Sequence, residues 1–294
     1  MGLLDNRVAV ITGGTRGFGL AVARAYAREG AAVVVTSRSE ESVRQAVEML
    51  RAQNGRASGI ACDVSDLQQV RALSGHAHAT FGPIDIWLNN AGLAGVYGPT
   101  MHVAPASFVS VTETNILGTY YGSLVAMQEF LARGRGKLIN VTGRGAEGPV
   151  PLQNAYASSK AWIKSFTLAL AREYKESGIG VFLLAPGMMT TEMLTQVEVV
   201  EGYEARLRVM PTILRMWASS PEVPAERAVW LASPSTDGKT GIQAKEMTPL
   251  RMIGGMVGEG LRRLRGRGDA PIQVGIKPVP PAIQNRQSSQ AKGK

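Results

Sequence analysis

The chain reads as an α/β protein built on one doubly wound parallel sheet, with helices on both faces and a basic C-terminal extension. Three observations predict this. Short apolar runs alternate with helical patterns from Arg7 to Ala185, and that alternation implies parallel strands joined by helical crossovers. The runs are nearly continuous in Val, Ile, Leu and Ala, as strands buried on both faces are. A glycine-rich turn, Thr12-Gly-Gly-Thr-Arg-Gly-Phe-Gly19, follows the first run and opens a helix.

Taken in order, the pattern predicts a strand at 7–12, a helix at 17–28, a β-branched strand at 31–36 and a helix at 40–53. A strand at 57–62, a helix at 66–80, a strand at 84–89 and one long helix over 105–132 follow. A strand at 137–142, a helix at 153–176 and a strand at 179–185 complete the regular part. Residues 188–222 read as helical pieces in a loop-rich insert, whose Met188, Met189, Met193, Met210, Met216 and Trp217 fit either an apolar pocket or core packing. A helix at 223–233 and a strand at 241–247 close the domain. Three units are expected: a domain over 1–250, a basic amphipathic helix over 251–267 and a disordered, Pro/Gly/Gln/Ser-rich tail over 268–294.

The 294 residues suffice for one large core, and 45% of them are hydrophobic. No apolar run reaches a membrane span and the N-terminus does not read as a signal peptide, so a cytoplasmic location is expected. The net charge of +9 is concentrated in the tail: residues 251–294 carry +7 and the first 250 carry +2. The body is nearly neutral, which gives no footprint for nucleic acid. The lone Cys62 cannot form an internal disulfide, and His76, His78 and His102 lack companions at metal-ligand spacing, so no metal site is expected.

The glycine turn has the spacing G-x-x-x-G-x-G in Gly13, Gly17 and Gly19. Glycines permit close approach of backbone to a pyrophosphate, and the helix N-terminus supplies amide donors and a favourable dipole. Thr15, Arg16 and Phe18 complete the loop as candidate dinucleotide contacts. An NAD site usually carries an acidic residue at the end of the second strand; this chain has Thr36-Ser37-Arg38-Ser39. Arg38 and Arg16 can pair with a 2′-phosphate and the serine hydroxyls can donate to it, so the expected cofactor is NADP (NADPH).

Tyr156 and Lys160 stand four residues apart in Tyr-Ala-Ser-Ser-Lys, on one face of a predicted helix. A positive charge beside a phenol favours the phenolate and is expected to lower its pKa toward the working range. Such a phenol can give a proton to a carbonyl oxygen or take one from an alcohol.

With these residues the chain resembles the short-chain dehydrogenase/reductase family over about residues 5–250. The glycine turn matches, as do Asp63-Val64 after the third strand, Asn89-Asn90-Ala91-Gly92 after the fourth, Asn115 in Thr-Asn-Ile-Leu-Gly, the Tyr156/Lys160 pair, and Pro186-Gly187 with Met189 and Thr191 following. The resemblance implies a Rossmann-type sheet. It also implies Tyr156 as general acid/base, Lys160 as holder of the nicotinamide ribose, and Asn115 as anchor of a proton-relay water. Asp63 and Val64 would contact the adenine ring, Asn90, Ala91 and Gly92 would line the cofactor, and Pro186, Gly187, Met189 and Thr191 would grip the carboxamide. A homodimer or homotetramer is the usual assembly.

One position departs. The family places a serine thirteen residues before the tyrosine; here it is Gly143. Loss of an oxygen-binding donor costs about 2.7–4 kcal/mol of transition-state stabilisation where measured in other enzymes. Thr142 next door is a candidate substitute if the strand end bends, and equally a packing residue; a backbone amide or a polar group on the substrate are the other options.

The chain is further similar to the chlorophyll b reductase branch. The segments concerned are Ser-Arg-Ser-Glu-Glu-Ser-Val at 37–43, Ile-Asp-Ile-Trp-Leu-Asn-Asn-Ala-Gly at 84–92, Thr-Asn-Ile-Leu-Gly at 114–118, Ala-Pro-Gly-Met at 185–188 and Pro151-Leu152. That likeness implies reduction of a tetrapyrrole formyl group, and more broadly of an apolar aldehyde or ketone. Gly143 motivates a competing reading, a cofactor-binding redox sensor or scaffold with weak catalysis. The basic stretch Arg262, Arg263, Arg265 and Arg267, beside Met252, Ile253, Met256, Val257, Leu261 and Leu264, fits either peripheral contact with an anionic membrane or a solvated terminus.

Overall fold

The computed structural model describes residues 2–264 and 272–283. A seven-stranded parallel sheet is formed by β1 (Val8–Thr12), β2 (Ala32–Ser37), β3 (Arg56–Ala61), β4 (Ile86–Asn89), β5 (Gly136–Val141), β6 (Ile179–Ala185) and β8 (Gln243–Lys245), in the order β3-β2-β1-β4-β5-β6-β8. Helices α1 (Gly17–Arg28), α2 (Glu40–Ala52) and α9 (Glu222–Ala232) cover one face. The other face is covered by α3 (Leu67–Phe81), α5 (Gly118–Arg133) and α6 (Asn154–Glu173).

The strands are buried because their side chains alternate between two cores. On β1, Ala9 and Ile11 join the α1/α2/α9 side, while Val8 and Val10 join the α3/α5 side. Trp87, Phe130, Phe182 and Tyr26 are among the largest fully buried side chains. Full burial of such a side chain stabilises by about 1.5–3 kcal/mol. Tyr26 satisfies its hydroxyl by donating to the Ala228 carbonyl at 3.1 Å, tying α1 to α9.

Strand order reverses between β1 and β4, and open α/β sheets bind ligands at such a switch point, beyond the strands' carboxyl ends. The residues there are Thr12-Gly13 at the end of β1 and Asn89-Asn90 at the end of β4, with the end of β5 beside them.

The structure differs from the sequence pattern in three places. The expected single helix over 105–132 is α4 (Pro105–Thr112) and α5, joined by a π-turn at Glu113–Leu117 that carries Asn115. The insert, expected to be helical, contains a short α7 (Glu192–Thr195), a strand β7 (Gln196–Val200) and then α8 (Met210–Trp217). The sequence Gln-Val-Glu-Val-Val has strand periodicity, but its shortness and Met-rich surroundings masked it. Thirdly, part of the tail expected to be disordered is a strand: β9 (Gly275–Val279) pairs in parallel with β7. A partner strand supplied from elsewhere in the chain orders a segment whose composition alone cannot. Residues 268–271 and 284–294 of that tail lie outside the described residues.

The expected basic helix is α10 (Pro249–Leu264); Arg265 and Arg267 fall outside the described residues. α10 packs on α8 through Gly255, where a Cβ would lie 2.4 Å from the Met216 carbonyl oxygen. A buried two-pronged ion pair from Arg215 to Glu259, at 2.8 and 3.0 Å, and the Trp217 indole donating to Met252 O fix the contact. Among the described residues no helix is long and apolar enough to cross a membrane.

Candidate active site

The glycine turn is shaped by contacts that leave no room for side chains. Gly13 and Gly17 take φ of +63° and +52°, a region glycine enters without steric cost. A Cβ on Gly19 would lie 2.1 Å from the Gly13 carbonyl oxygen, and one on Gly13 would lie 2.9 Å from Ala91 Cα. Asn90 ties this turn to the end of β4: its Nδ2 donates to the carbonyls of Thr12 and Gly13, both at 3.0 Å. Thr12 Oγ1 accepts from the Asn90 and Ala91 amides at 3.0 and 3.1 Å. Arg16, the residue before α1, is extended and gives no side-chain cap, so the first amides of the helix are left without one. The turn therefore fits a pyrophosphate. Phe18 is buried in the core, which leaves only its backbone facing the turn.

Around the second strand, Ser37 Oγ donates to Ser39 O at 3.3 Å, and Ser39 caps α2 by accepting from the Ser42 amide. Arg38 is exposed between them. Arg16 is exposed too and pairs with Glu192 at 2.6 Å. Such surface pairs contribute about 0–1 kcal/mol and yield readily to a phosphate. Asp63 accepts from the amide and hydroxyl of Ser65, while Val64 is buried beneath Gly118, where a Cβ would meet it at 2.6 Å.

The far side is closed by the segment after β6. Pro186 is buried and Gly187 turns the chain with φ +77°. Met189 bridges to Ser219. Thr191 crosses over the glycine turn, its methyl 3.4 Å from where a Gly17 Cβ would stand.

Lys160 is buried on α6, and its ammonium donates to the Val141 carbonyl at 3.1 Å. It lies 5.5 Å from the centre of the Tyr156 ring and beside Gly92, where a Cβ would be 3.7 Å from the lysine nitrogen and 3.3 Å from Asn115 Oδ1. Asn115 is fully buried. Its Oδ1 accepts from the Leu93 amide at 2.8 Å, and its Nδ2 donates to Leu93 O at 3.0 Å and Ser159 Oγ at 2.9 Å. The π-turn is what aims this side chain inward from an otherwise α-helical stretch.

Burial pushes the Lys160 ammonium down to about 8 and the Tyr156 phenol up to about 12. This corrects the expectation that Lys160 lowers the tyrosine: with the ammonium engaged by Val141 O, desolvation is the larger effect on the phenol. Tyr156 keeps partial solvent contact, which softens the shift without reversing its direction.

Thr142 does not supply the missing side-chain donor. It is buried, and its hydroxyl donates to the Lys160 carbonyl at 2.9 Å, anchoring α6 to the end of β5. The strand does not bend to present it. The space beside Tyr156 belongs to Gly143 itself: a Cβ there would lie 2.6 Å from the phenol oxygen. The absence of a side chain at 143 leaves that space to the phenol.

Two supporting groups escape the sequence reading, Ser159 and Asn140, and two more, Thr12 and Asn89, are legible there only as members of the glycine turn and of the Asn89-Asn90-Ala91-Gly92 motif. Asn89 Nδ2 donates to Asn140 Oδ1 at 2.9 Å and to Ser123 Oγ at 3.1 Å, and Asn140 Nδ2 donates to Thr167 Oγ1 at 3.0 Å. The signal was available, since Asn140 is a polar residue in an apolar strand buried on both faces.

The short chain dehydrogenase family model matches residues 7–201. The chain is also 35% identical over 255 residues to a 3beta-hydroxysteroid dehydrogenase 1 of Eggerthella lenta, covering 86% of this chain and 94% of the relative. This protein belongs to the short-chain dehydrogenases. A putative ketoacyl reductase of Streptomyces coelicolor is 34% identical over 199 residues, 67% of this chain and 76% of the relative. Among solved structures, an actinorhodin polyketide ketoreductase variant with NADPH superposes with a TM-score of 0.76 at 29% identity, covering 85% of this chain and 99% of that one. A 3-ketoacyl-(acyl-carrier-protein) reductase from Brucella melitensis with NADH gives 0.74 at 29% identity, covering 83% and 97%. This short-chain dehydrogenase is thus an oxidoreductase with a nicotinamide cofactor.

Proposed function

We propose that this short-chain dehydrogenase is an NADPH-dependent reductase of an apolar aldehyde or ketone. One observation carries the reading: the Lys160 ammonium lies 5.5 Å from the centre of the Tyr156 ring and Asn115 Oδ1 stands beside it at Gly92, which gathers a proton donor and the groups that can resupply it. The cofactor, when bound, supplies hydride to the carbonyl carbon. Tyr156 gives its proton to the carbonyl oxygen, and Lys160 and Asn115 replenish that proton from the interior. Gly13, Thr15, Gly17, Phe18 (through its backbone) and Gly19 would hold the pyrophosphate. Asp63 and Val64 would contact the adenine; Asn90, Ala91 and Gly92 would line the crevice; Pro186, Gly187, Met189 and Thr191 would cover the nicotinamide. Arg38, Ser37 and Arg16, the last released from Glu192, would bind the 2′-phosphate.

The likeness to chlorophyll b reductases supports a flat tetrapyrrole formyl group as one candidate substrate, and the named ketoreductase relatives support a smaller ketone. A panel of aldehydes and ketones with NADPH and NADH tests the reading. Turnover with NADPH is expected; tight cofactor binding without turnover on any carbonyl would favour the sensor or scaffold, and a ten-fold or larger preference for NADH would overturn the NADP assignment.

A second reading concerns where the enzyme works. On α10 the side chains of Leu250, Ile253, Met256, Val257, Leu261 and Leu264 are all exposed, on the side opposite Gly255 and Glu259, which face the body. Six outward apolar side chains on one helix form an exposed apolar stripe, the kind of surface that marks an interaction site. With the basic residues of the same stretch they favour contact with an anionic membrane surface. Co-sedimentation of the full chain with anionic and neutral liposomes tests this, with sedimentation velocity separating it from burial of the stripe in a homodimer or homotetramer.

A further inference from the structure

Arg16 and Glu192 lie 176 residues apart in the chain, yet their side chains meet at 2.6 Å. The place where they meet is set by two sets of backbone contacts. On one side, the Gly14 amide donates to Thr36 O at 3.0 Å and a Gly14 Cβ would lie 2.9 Å from Val35 Cγ1, so the glycine turn rests on the end of β2. Arg16 and Arg38 each stand two residues beyond that bond, which sets both arginines at one edge of the turn. On the other side, the segment after β6 is fixed to the chain that follows α8. The Thr190 amide donates to Ser219 O and the Ser219 amide to Met188 O, both at 3.0 Å. Thr191 then packs at Gly17, and Glu192 is the next residue, the first of α7. An anchored backbone thus presents the Glu192 carboxylate to Arg16.

The two arginines differ in what already holds them. Arg38 is exposed and, among the described residues, has no carboxylate partner, whereas Arg16 is engaged by Glu192. Both ends of that pair are open to water, with side chains 77% and 68% exposed, so it is worth no more than about five-fold in an equilibrium. A phosphate offers Arg16 a two-pronged contact with more than one negative charge. The phosphate wins the contact, but the affinity it gains is reduced by the strength of the pair it breaks. A cofactor with a bare 2′-hydroxyl has no charge to offer Arg16 and leaves the pair closed. The reduction therefore applies to one cofactor alone.

We propose that Glu192 is a specificity-determining residue for the cofactor: its carboxylate competes with the 2′-phosphate for Arg16 and holds the affinity for NADPH below what Arg16 and Arg38 would otherwise give, while the affinity for NADH is untouched. The inference rests on the reading of the cofactor as NADPH. Glu192 acts through Arg16 and touches no reacting atom, so it is a positioning residue.

Titration of the full-length protein with NADPH, NADH and 2′,5′-ADP tests it, the last carrying the phosphate without the nicotinamide. Calorimetry reads binding directly and needs no turnover. Glu192→Gln is expected to tighten NADPH and 2′,5′-ADP about three- to five-fold and to leave NADH within about two-fold of wild type. The gain is expected to disappear in R16Q/E192Q, where the contested group is gone, and to shrink toward nothing as ionic strength rises to about 1 M. No gain for NADPH, an equal gain for NADH, or a gain that survives in R16Q/E192Q or at high salt overturns the competition. Arg16→Gln and Arg38→Gln separate this result from the cofactor reading itself. If either weakens NADPH and not NADH, the NADP assignment stands whatever Glu192 does. If both leave NADPH binding unchanged, that assignment fails and the inference with it.

Discussion

The segment from Val8 to Ala185 and the segment from Met188 to Ile283 solve opposite problems. The first takes polar groups inside and satisfies them: Asn89, Asn115 and Asn140 are buried, and each is bonded at both ends of its amide. The second leaves apolar groups outside, on α10, and, apart from the buried Arg215–Glu259 pair, relies on exposed ion pairs such as Lys277–Glu198 within it and Glu192–Arg16 across to the first. Interior hydrogen-bond networks fix geometry because breaking them strands a buried donor or acceptor. Exposed contacts of the second kind give way cheaply. In this short-chain dehydrogenase the buried asparagine network is therefore held firmly, and the exposed contacts of the second segment are held loosely.

The largest expected contrast is between glycines. Gly19→Val drives side-chain atoms into the Gly13 carbonyl and the Asn90 amide, and is expected to destabilise by roughly 2–4 kcal/mol and abolish cofactor binding. Denaturant melts and NADPH titration check this. Gly258→Ala on α10 meets nothing within 4 Å and is expected to stabilise by about 0.5–1 kcal/mol through helix propensity. A comparable loss in both would erase the distinction between the two segments.

Lys160 sharpens it next. Its folded-state pKa is held down to about 8 from 10.5, so between those values the unfolded chain binds a proton that the folded chain does not. Its contribution is fully present above 10.5 and is lost as pH falls through about 8. The stability difference between wild type and Lys160→Met, followed by melts across this window, is expected to move in wild type's favour as pH rises. A pH-independent difference would mean the ammonium is not desolvated.

A smaller effect is expected at Gly143. Restoring the family's serine places a Cβ 2.6 Å from the phenol oxygen, so the hydroxyl must shift. Gly143→Ser is expected to lower kcat by about ten-fold, because small displacements at a reacting centre are costly. Raised turnover would show that the side-chain donor, not the room given to Tyr156, limits this enzyme.

Sequence alone reached most of the first segment. The glycine turn, Asn115, Tyr156 and Lys160 are recognisable because their chemistry demands fixed types at fixed spacing, and the structure brings them to one switch-point crevice. The strands of the main sheet follow from apolar runs that only burial on both faces explains. What the sequence withheld depends on partners distant along the chain. β9 is a strand only because β7 lies beside it, and β7 is too short to announce itself. Thr142 is chemically able to replace a serine, but its hydroxyl is taken by the Lys160 carbonyl. The direction of the Tyr156 shift turns on burial, which spacing does not reveal.

The most direct measurement is the turnover of Tyr156→Phe on a carbonyl that the wild type reduces, with NADPH affinity measured in parallel. A protonated phenol acting as the acid predicts cofactor affinity near that of wild type and turnover lower by about 10²–10⁴-fold. Turnover within a few fold of wild type would contradict it.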